Sequence, residues 1–246
     1  MKPITLLIAL APLLLGACAA LFGSASPFAL DRKGDLVEFN YAWPAEASRQ
    51  PALVRQLRRD LETSFTATTA AAAADRASAK TTDRPFRSHS FSRRWTTAGQ
   101  SSRLLSLDGR TSTFTGGAHP NHGSKALLWD RRLARQVTLA SLLSSPQSLT
   151  TLLRPAYCSA LDAERVRRRG SAFRAGAMFT DCPRLDQLTL VPADRDRDGR
   201  FDTLRVIADP YVAGPYSEGF YVIDQEVEAR FRSAMKPAYR ASFEVG

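Results

Sequence analysis

The stretch Thr115-Gly-Gly-Ala-His-Pro-Asn-His-Gly-Ser-Lys-Ala-Leu-Leu-Trp-Asp130, continued by Val137-Thr-Leu-Ala-Ser-Leu-Leu143, constrains the fold more than any other. Gly116 and Gly117 admit backbone angles closed to other residues, and Pro120 sets the direction in which the chain leaves. Ala126 to Trp129 then reads as a strand and Asp130 as a turn residue. Thr138 is placed to cap a short helix over Leu139 to Leu143. A glycine corner, a strand and a helix start in close succession require a sheet on which the strand can lie.

The flanking sequence supplies that sheet. Leu36 to Trp43 alternates apolar and polar residues and stops at Pro44. Leu53, Val54, Leu57, Leu61 and Phe65 recur at helical spacing in a helix from Pro51 to about Lys80, which the alanine run from Ala70 to Ala74 continues toward solvent. Phe86 to Leu107 alternates again, with Ala98-Gly99-Gln100 read as a turn. Asp108-Gly109 is a hairpin signal between Leu104–Leu107 and Thr111–Thr115. A second long helix spans Gln147 to Arg169, disturbed early by Pro155 and ended by Gly170. Strands are expected at Phe173–Phe179, Leu185–Val191, Phe201–Ala208 and Phe220–Ile223, and a short helix at Glu226–Met235. The fold class expected is α+β: an antiparallel β-sheet packed by helices on one side, with one disulfide.

The first residues point to export. Lys2 is followed by an apolar run from Ile4 to Leu15, short for a membrane span of roughly 20 residues. Leu15-Gly16-Ala17-Cys18 resembles the lipobox of bacterial lipoproteins, in which small residues enter a peptidase and the thiol accepts a diacylglyceryl group. On this reading residues 1–17 are a signal peptide, Cys18 is lipidated, and residues 18–33 tether the lipid to the folded part. Ala19 suggests outer-membrane sorting in a diderm cell, on the periplasmic side. Cleavage as an ordinary signal peptide is the alternative. In an oxidising compartment Cys158 and Cys182 are most simply a disulfide, two buried thiols being the other reading.

The formal charge of +10 is carried mostly by arginine. Such a balance is read as a nucleic acid, an anionic membrane or an acidic polymer as partner, or simply as high arginine usage, which the scatter of the arginines along the chain favours; no nucleic-acid partner is expected.

Two blocks together resemble a known extracytoplasmic family. Thr115-Gly-Gly-Ala-His-Pro-Asn121 with the Trp129-Asp130 strand end and Val137–Leu143 is one. Tyr211-Val-Ala-Gly-Pro-Tyr-Ser-Glu-Gly219 is the other. They are similar to the paired domains of unknown function of RsiV-type anti-sigma factors and PdaC-type peptidoglycan deacetylases, over roughly residues 34–235. The resemblance implies an α+β fold, an N-terminal part at 34–145 and a C-terminal part at 146–246. It carries no catalytic residues. RsiV-type domains bind lysozyme and PdaC-type domains accompany a deacetylase in the wall, and here the module is read as standing alone on its anchor.

Three local motifs offer chemistry. Asp194-Arg-Asp-Arg-Asp-Gly-Arg-Phe-Asp202 has the spacing of a calcium loop: Asp194, Asp196 and Asp198 converge, Gly199 turns, and the Arg200 carbonyl and Asp202 complete an oxygen cage. Arg205 stands where an EF-hand has its bidentate Glu, and a solvated hairpin of paired charges is the plainer reading. His119 and His122 form HxxH, a metal or acid/base pair or a turn. Trp43, Trp95 and Trp129 could stack sugars or fill a core. The function expected is a non-catalytic, lipid-anchored module that binds peptidoglycan or another anionic envelope polymer. A lysozyme-binding lipoprotein and a wall-modifying enzyme are the alternatives.

Overall fold

The computed structural model describes residues 25–170 and 176–246. The expected signal peptide, the expected lipidation site Cys18 and the start of the expected tether lie outside the described residues. Six strands form the larger sheet, in sequence order. Strand β1 (Phe28–Lys33) pairs antiparallel with β2 (Val37–Trp43), Phe28 opposite Trp43. The second half of the expected tether is therefore a strand. Alternation decides this: Phe28, Leu30 and Arg32 turn one way, and the Phe28 ring stacks on Trp43 at 3.8 Å.

After the single turn α1 (Ala45–Ser48), helix α2 (Pro51–Thr81) carries the chain across the sheet. Pro51 suits its first position, where no N–H is needed. The crossover makes β3 (His89–Gln100) parallel to β2, Val37 opposite His89, so the sheet is mixed rather than all antiparallel. A meander follows through β4 (Leu104–Phe114), β5 (Asn121–Asp130) and β6 (Arg135–Val137). Leu53 and Leu57 of α2 pack with Phe39, Tyr41, Phe91, Trp95, Leu105, Leu107 and Trp129 on one face of this sheet. All three tryptophans are buried, so none is a sugar platform. Asp60 pins α2 to the sheet by accepting from Tyr41 Oη and Arg93 Nη1, both at 2.5 Å. Burial opposes its charge, but these bonds offset it and hold the Asp60 carboxyl below the usual range.

The Asp108-Gly109 hairpin does not form. β4 runs straight through it, with Gly109 opposite Trp95. A Cβ there would lie 2.7 Å from the indole, so the glycine makes room for a ring rather than a turn. Ala98-Gly99-Gln100 is likewise not a turn but the end of β3, with a bulge between Thr97 and Gly99. A Cβ on Gly99 would meet Asp194 at 2.7 Å. The turn falls at Ser101–Arg103, whose serine hydroxyl accepts from the Arg103 and Leu104 amides.

Thr138 caps α3 (Leu139–Leu142), accepting from Ser141 N. Helix α4 (Ser148–Arg169) continues through Pro155, because its buried stripe of Leu149, Leu153, Tyr157 and Leu161 offsets the lost backbone bond. A second antiparallel sheet of β7 (Thr189–Ala193), β8 (Thr203–Ala208) and β9 (Tyr221–Glu226) has α4 packed on it through Tyr157, Leu161, Val206 and Tyr221. β7 contacts β3, β4 and β5 of the larger sheet. There are thus two sheets, with helices on opposite sides, and not one sheet with helices on one side. Short helices α5 (Ala229–Ala234) and α6 (Pro237–Arg240) close the core around Phe231, Met235, Tyr239 and Phe243.

Cys158 and Cys182 are bonded, their Cα atoms 5.5 Å apart. The described part of the expected Phe173–Phe179 strand is turn instead, with Gly176 and Phe179 at positive φ. The chain that follows is held by the buried Arg165, whose guanidinium donates to the carbonyls of Thr180, Asp181 and Ala213. Among the described residues no helix is long and apolar enough to cross a membrane.

Candidate functional site

The two sequence blocks, about ninety residues apart, meet in space. The first forms the loop between β4 and β5. Gly116 has φ 84°, and Arg87 closes the loop by donating to the Gly117 carbonyl at 2.9 Å while lying 4.7 Å over the Phe114 ring. The second block links β8 to β9. Tyr211, although not a glycine, has φ 71°, and its N–H donates to the Gly214 carbonyl at 2.9 Å. Such a backbone costs of order 1 kcal/mol and persists only where its surroundings impose it.

The surroundings are a polar clasp. Arg169, at the end of α4, donates to both oxygens of Glu218, each at 2.8 Å, and the buried Tyr221 hydroxyl donates to the same carboxylate. Arg169 first and Tyr221 second hold the Glu218 carboxyl below its ordinary range, while burial first and Glu218 second push the Tyr221 hydroxyl up. Gly214 is packed against Glu218, Tyr221 and Arg169, with no space for a side chain. Asp209, at the start of the link, accepts from Ser124 N at 3.0 Å and from the Ser124 hydroxyl at 2.5 Å, which ties the link to β5.

These bonds bring together a set of rings. Tyr216 Oη donates to the Pro120 carbonyl at 2.6 Å. The His119 ring stacks on Tyr216 with centroids 3.8 Å apart, and Tyr211 lies 5.7 Å from Tyr216. His122 sits between Tyr216 at 6.1 Å and Phe220 at 6.3 Å. Arg110 lies 4.8 Å over Phe220, its guanidinium held by Asp108 at 3.0 Å. His119, His122 and Tyr211 are exposed, and Tyr211 is 54 % exposed. The histidines of HxxH thus act as flat rings on Tyr216, and they belong to no cluster of metal-ligating residues among those described. Sequence reasoning singled out both blocks but not their meeting, since Tyr211, Tyr216 and Phe220 reach His119 only through the packing of β7 and β8.

The acidic hairpin lies elsewhere, between β7 and β8. Ligand atoms of Asp194, Asp196 and Asp198 lie within 4.8 Å of one another, as the spacing predicts. Asp194 Oδ1 is buried without a hydrogen-bond partner, and burial, with Asp196 adding to it, pushes the Asp194 carboxyl up. Both features fit a cation. Asp202 stands outside the group and accepts from Arg195 N at 3.1 Å, and the Arg200 side chain takes Asp198 at 2.5 Å and Glu244 at 2.7 Å. The donor set is therefore three carboxylates, one of them shared with an arginine.

Comparison with known proteins agrees with the resemblance in the sequence. Residues 30–122 match the family model of the deacetylase PdaC. Among solved structures, a DUF3298-family protein from Pseudomonas aeruginosa PAO1 superimposes with a TM-score of 0.51 at 16 % identity, covering 87 % of this chain and 95 % of that one. A DUF3298-family protein from Bacteroides fragilis NCTC 9343 aligns with a TM-score of 0.48 at 12 % identity over 88 % and 95 %. At 16 % identity the first likeness is one of fold. No curated protein matches the chain.

Proposed function

We propose that this chain, which resembles the PdaC-type paired domains of unknown function, is a non-catalytic binding module for a cell-wall glycan, held on the periplasmic side of a membrane through acylated Cys18. The observation that carries the reading is the ring cluster of the exposed His119 and Tyr211 with the half-buried Tyr216 and Phe220. The His and Tyr rings, each with an apolar face and a polar edge, suit the apolar faces and hydroxyl edges of sugars, and Phe220 adds apolar area. The clasp of Arg169, Glu218 and Tyr221 holds the rings in place before a ligand arrives, which lowers the ordering cost of binding. The acidic hairpin is proposed separately as a calcium site of Asp194, Asp196 and Asp198.

Co-sedimentation with purified peptidoglycan sacculi tests the reading. The wild-type chain is expected in the pellet. Tyr211→Gly removes an exposed ring and also frees a strained backbone, so the variant is expected to be as stable as wild type or more so while binding roughly tenfold less. A wild-type chain that stays in the supernatant, or a Tyr211→Gly chain that binds as well as wild type, would overturn the assignment. Capture of a lysozyme in place of sacculi would replace glycan recognition with protein recognition.

A further inference from the structure

Helix α2 carries a charge pattern that neither the core nor the ring cluster uses. Its charged residues are Arg55, Arg58, Arg59, Asp60, Glu62, Asp75, Arg76 and Lys80. Two of the three carboxylates turn away from solvent cations of the helix: Asp60 is taken by Arg93 and Tyr41, and Asp75 by Arg84 at 2.6 Å. The other six residues are all exposed. At 3.6 residues per turn they fall within an arc of about 100°, on the side away from Leu53 and Leu57. The outward face therefore shows five cations and one carboxylate, Glu62, along roughly 38 Å between Arg55 and Lys80. Between the two ends of the stripe the residues are small: Thr66, Ala70, Ala73 and Ala77 stand on this side, so a flat surface can approach closely.

The seam between α2 and β1 extends the pattern. One groove there is lined by the apolar Phe28, Leu30, Leu61 and Phe65 and by Arg32, Arg58 and the carboxylate of Glu62. A second, sharing Arg32 and Phe65, adds Leu36, Asp35, Lys33 and Arg76. Arg32 lies 4.9 Å over Phe65, Arg58 lies 5.5 Å over Phe28, and Arg76 lies 5.9 Å over Phe86. None of these three arginines makes an ion pair among the described residues, whereas Lys33 is bound to Glu38. Aromatic floors hold the guanidinium groups at the surface while leaving their hydrogen-bonding edges unpaired.

We propose that this face, the outward stripe of α2 with the α2–β1 seam, docks on an anionic phospholipid bilayer. Charge complementarity and the combination of apolar and cationic lining favour headgroups over a soluble polyanion, which would need the cations but not the apolar lining. The chain geometry agrees: Phe28, on this seam, follows Cys18 by a length of chain spanning at most about 35 Å, so an acyl anchor would keep the face beside the bilayer. That last point rests on the anchor proposed above, and the charge pattern does not.

The test separates the two. The full chain carrying Cys18→Ser, which cannot be acylated there, is mixed with phosphatidylcholine vesicles and with vesicles of equal parts phosphatidylcholine and phosphatidylglycerol. The ratio of the two partition coefficients cancels whatever the apolar N-terminal run contributes to both. The ratio is expected to be well above one and to fall with salt. Each of Arg32→Ala, Arg58→Ala and Arg76→Ala is expected to lower it roughly fivefold, and the triple variant carrying all three is expected to lower it further than any one of them. A control chain with Arg132, Arg135 and Arg195 replaced by alanine, also exposed, is expected to change it by about twofold at most. A ratio near one, including one accompanied by retention on a soluble polyanion, overturns the proposal. So does an equal fall in the two triple variants, which would mean that net charge and not this face does the binding. Because the three arginines are exposed and unpaired, unchanged circular dichroism and melting temperature are expected for every variant. Sacculus binding by the same Cys18→Ser chain is read independently, so failure here and failure of the glycan reading are distinguishable.

Discussion

Glu218→Ala is the substitution that most directly connects the fold to the ring cluster. Glu218 accepts two hydrogen bonds from Arg169 and one from Tyr221. Its side chain is 18 % exposed and that of Arg169 12 %. Removing the carboxylate leaves a guanidinium and a phenol to find other partners in a partly dry site. Breaking a fully buried pair costs roughly 3–5 kcal/mol, and the residual exposure of both groups, with the remaining bonds of Arg169 to the Phe179 and Ala213 carbonyls, sets the expectation at the lower end, about 3 kcal/mol. For a chain of this size that corresponds to a fall in melting temperature of roughly 6–12 °C. Glu218→Gln, which keeps one acceptor, is expected to fall about midway. The pH dependence gives a second readout. The carboxyl of Glu218 titrates below its unfolded value, so its contribution is present above the unfolded pKa of about 4.3 and is lost as pH falls through the lower folded value. The gap between wild type and Glu218→Ala, measured by thermal unfolding followed by circular dichroism, is expected to be full at pH 7 and to close in strong acid. The Tyr211 and Tyr216 rings sit on the loop this clasp holds, so sacculus binding is expected to weaken as well. A fall below about 2 °C at neutral pH, or a gap that persists unchanged in acid, would refute the reasoning.

Two further outcomes follow from the geometry. Gly109→Ala places a methyl group against the Trp95 ring and is expected to destabilise by about 1–3 kcal/mol in urea unfolding, whereas a glycine serving a hairpin turn would tolerate alanine at a similar or lower cost only if the strand bent there; no change at all would contradict a continuous β4. Calcium added to the folded protein is expected to raise the melting temperature of wild type and not of Asp194→Asn, and calorimetry without heat would remove the acidic hairpin as a calcium site.

Much of the secondary structure was legible because its causes are local. The spacing of Leu53, Leu57 and Leu61 is enough to predict α2, and the Thr138 cap is enough to start α3. The pairing of Cys158 with Cys182 is what the expectation of an oxidising compartment makes simplest for two cysteines, and the two are bonded. The misreadings share one origin. Gly109, Gly99 and the Ala98–Gln100 segment carry turn residues, and in each case the glycine answers to a side chain distant in sequence, Trp95 or Asp194, that no local pattern announces. The expected Phe173–Phe179 strand is turn over its described part, and the segment after it is held by Arg165, which reaches from α4 for the Thr180 and Asp181 carbonyls, a contact that no local pattern announces.

Most of the elements, the acidic loop and the two blocks that resemble PdaC-type domains are legible locally, since periodicity, turn chemistry and spacing act over a few residues. That β2 and β3 run parallel, that the strands divide into two sheets, and that the blocks at His119 and Tyr216 share one ring cluster is settled by tertiary packing alone. Those outcomes depend on long-range packing: α2 must cross the sheet to bury its leucines, and β7 must lie on β3, β4 and β5 before the second loop can reach the first. The glycine corner around Gly116 was readable as a corner from the start, but what it faces was set by a strained tyrosine and a buried carboxylate almost a hundred residues away.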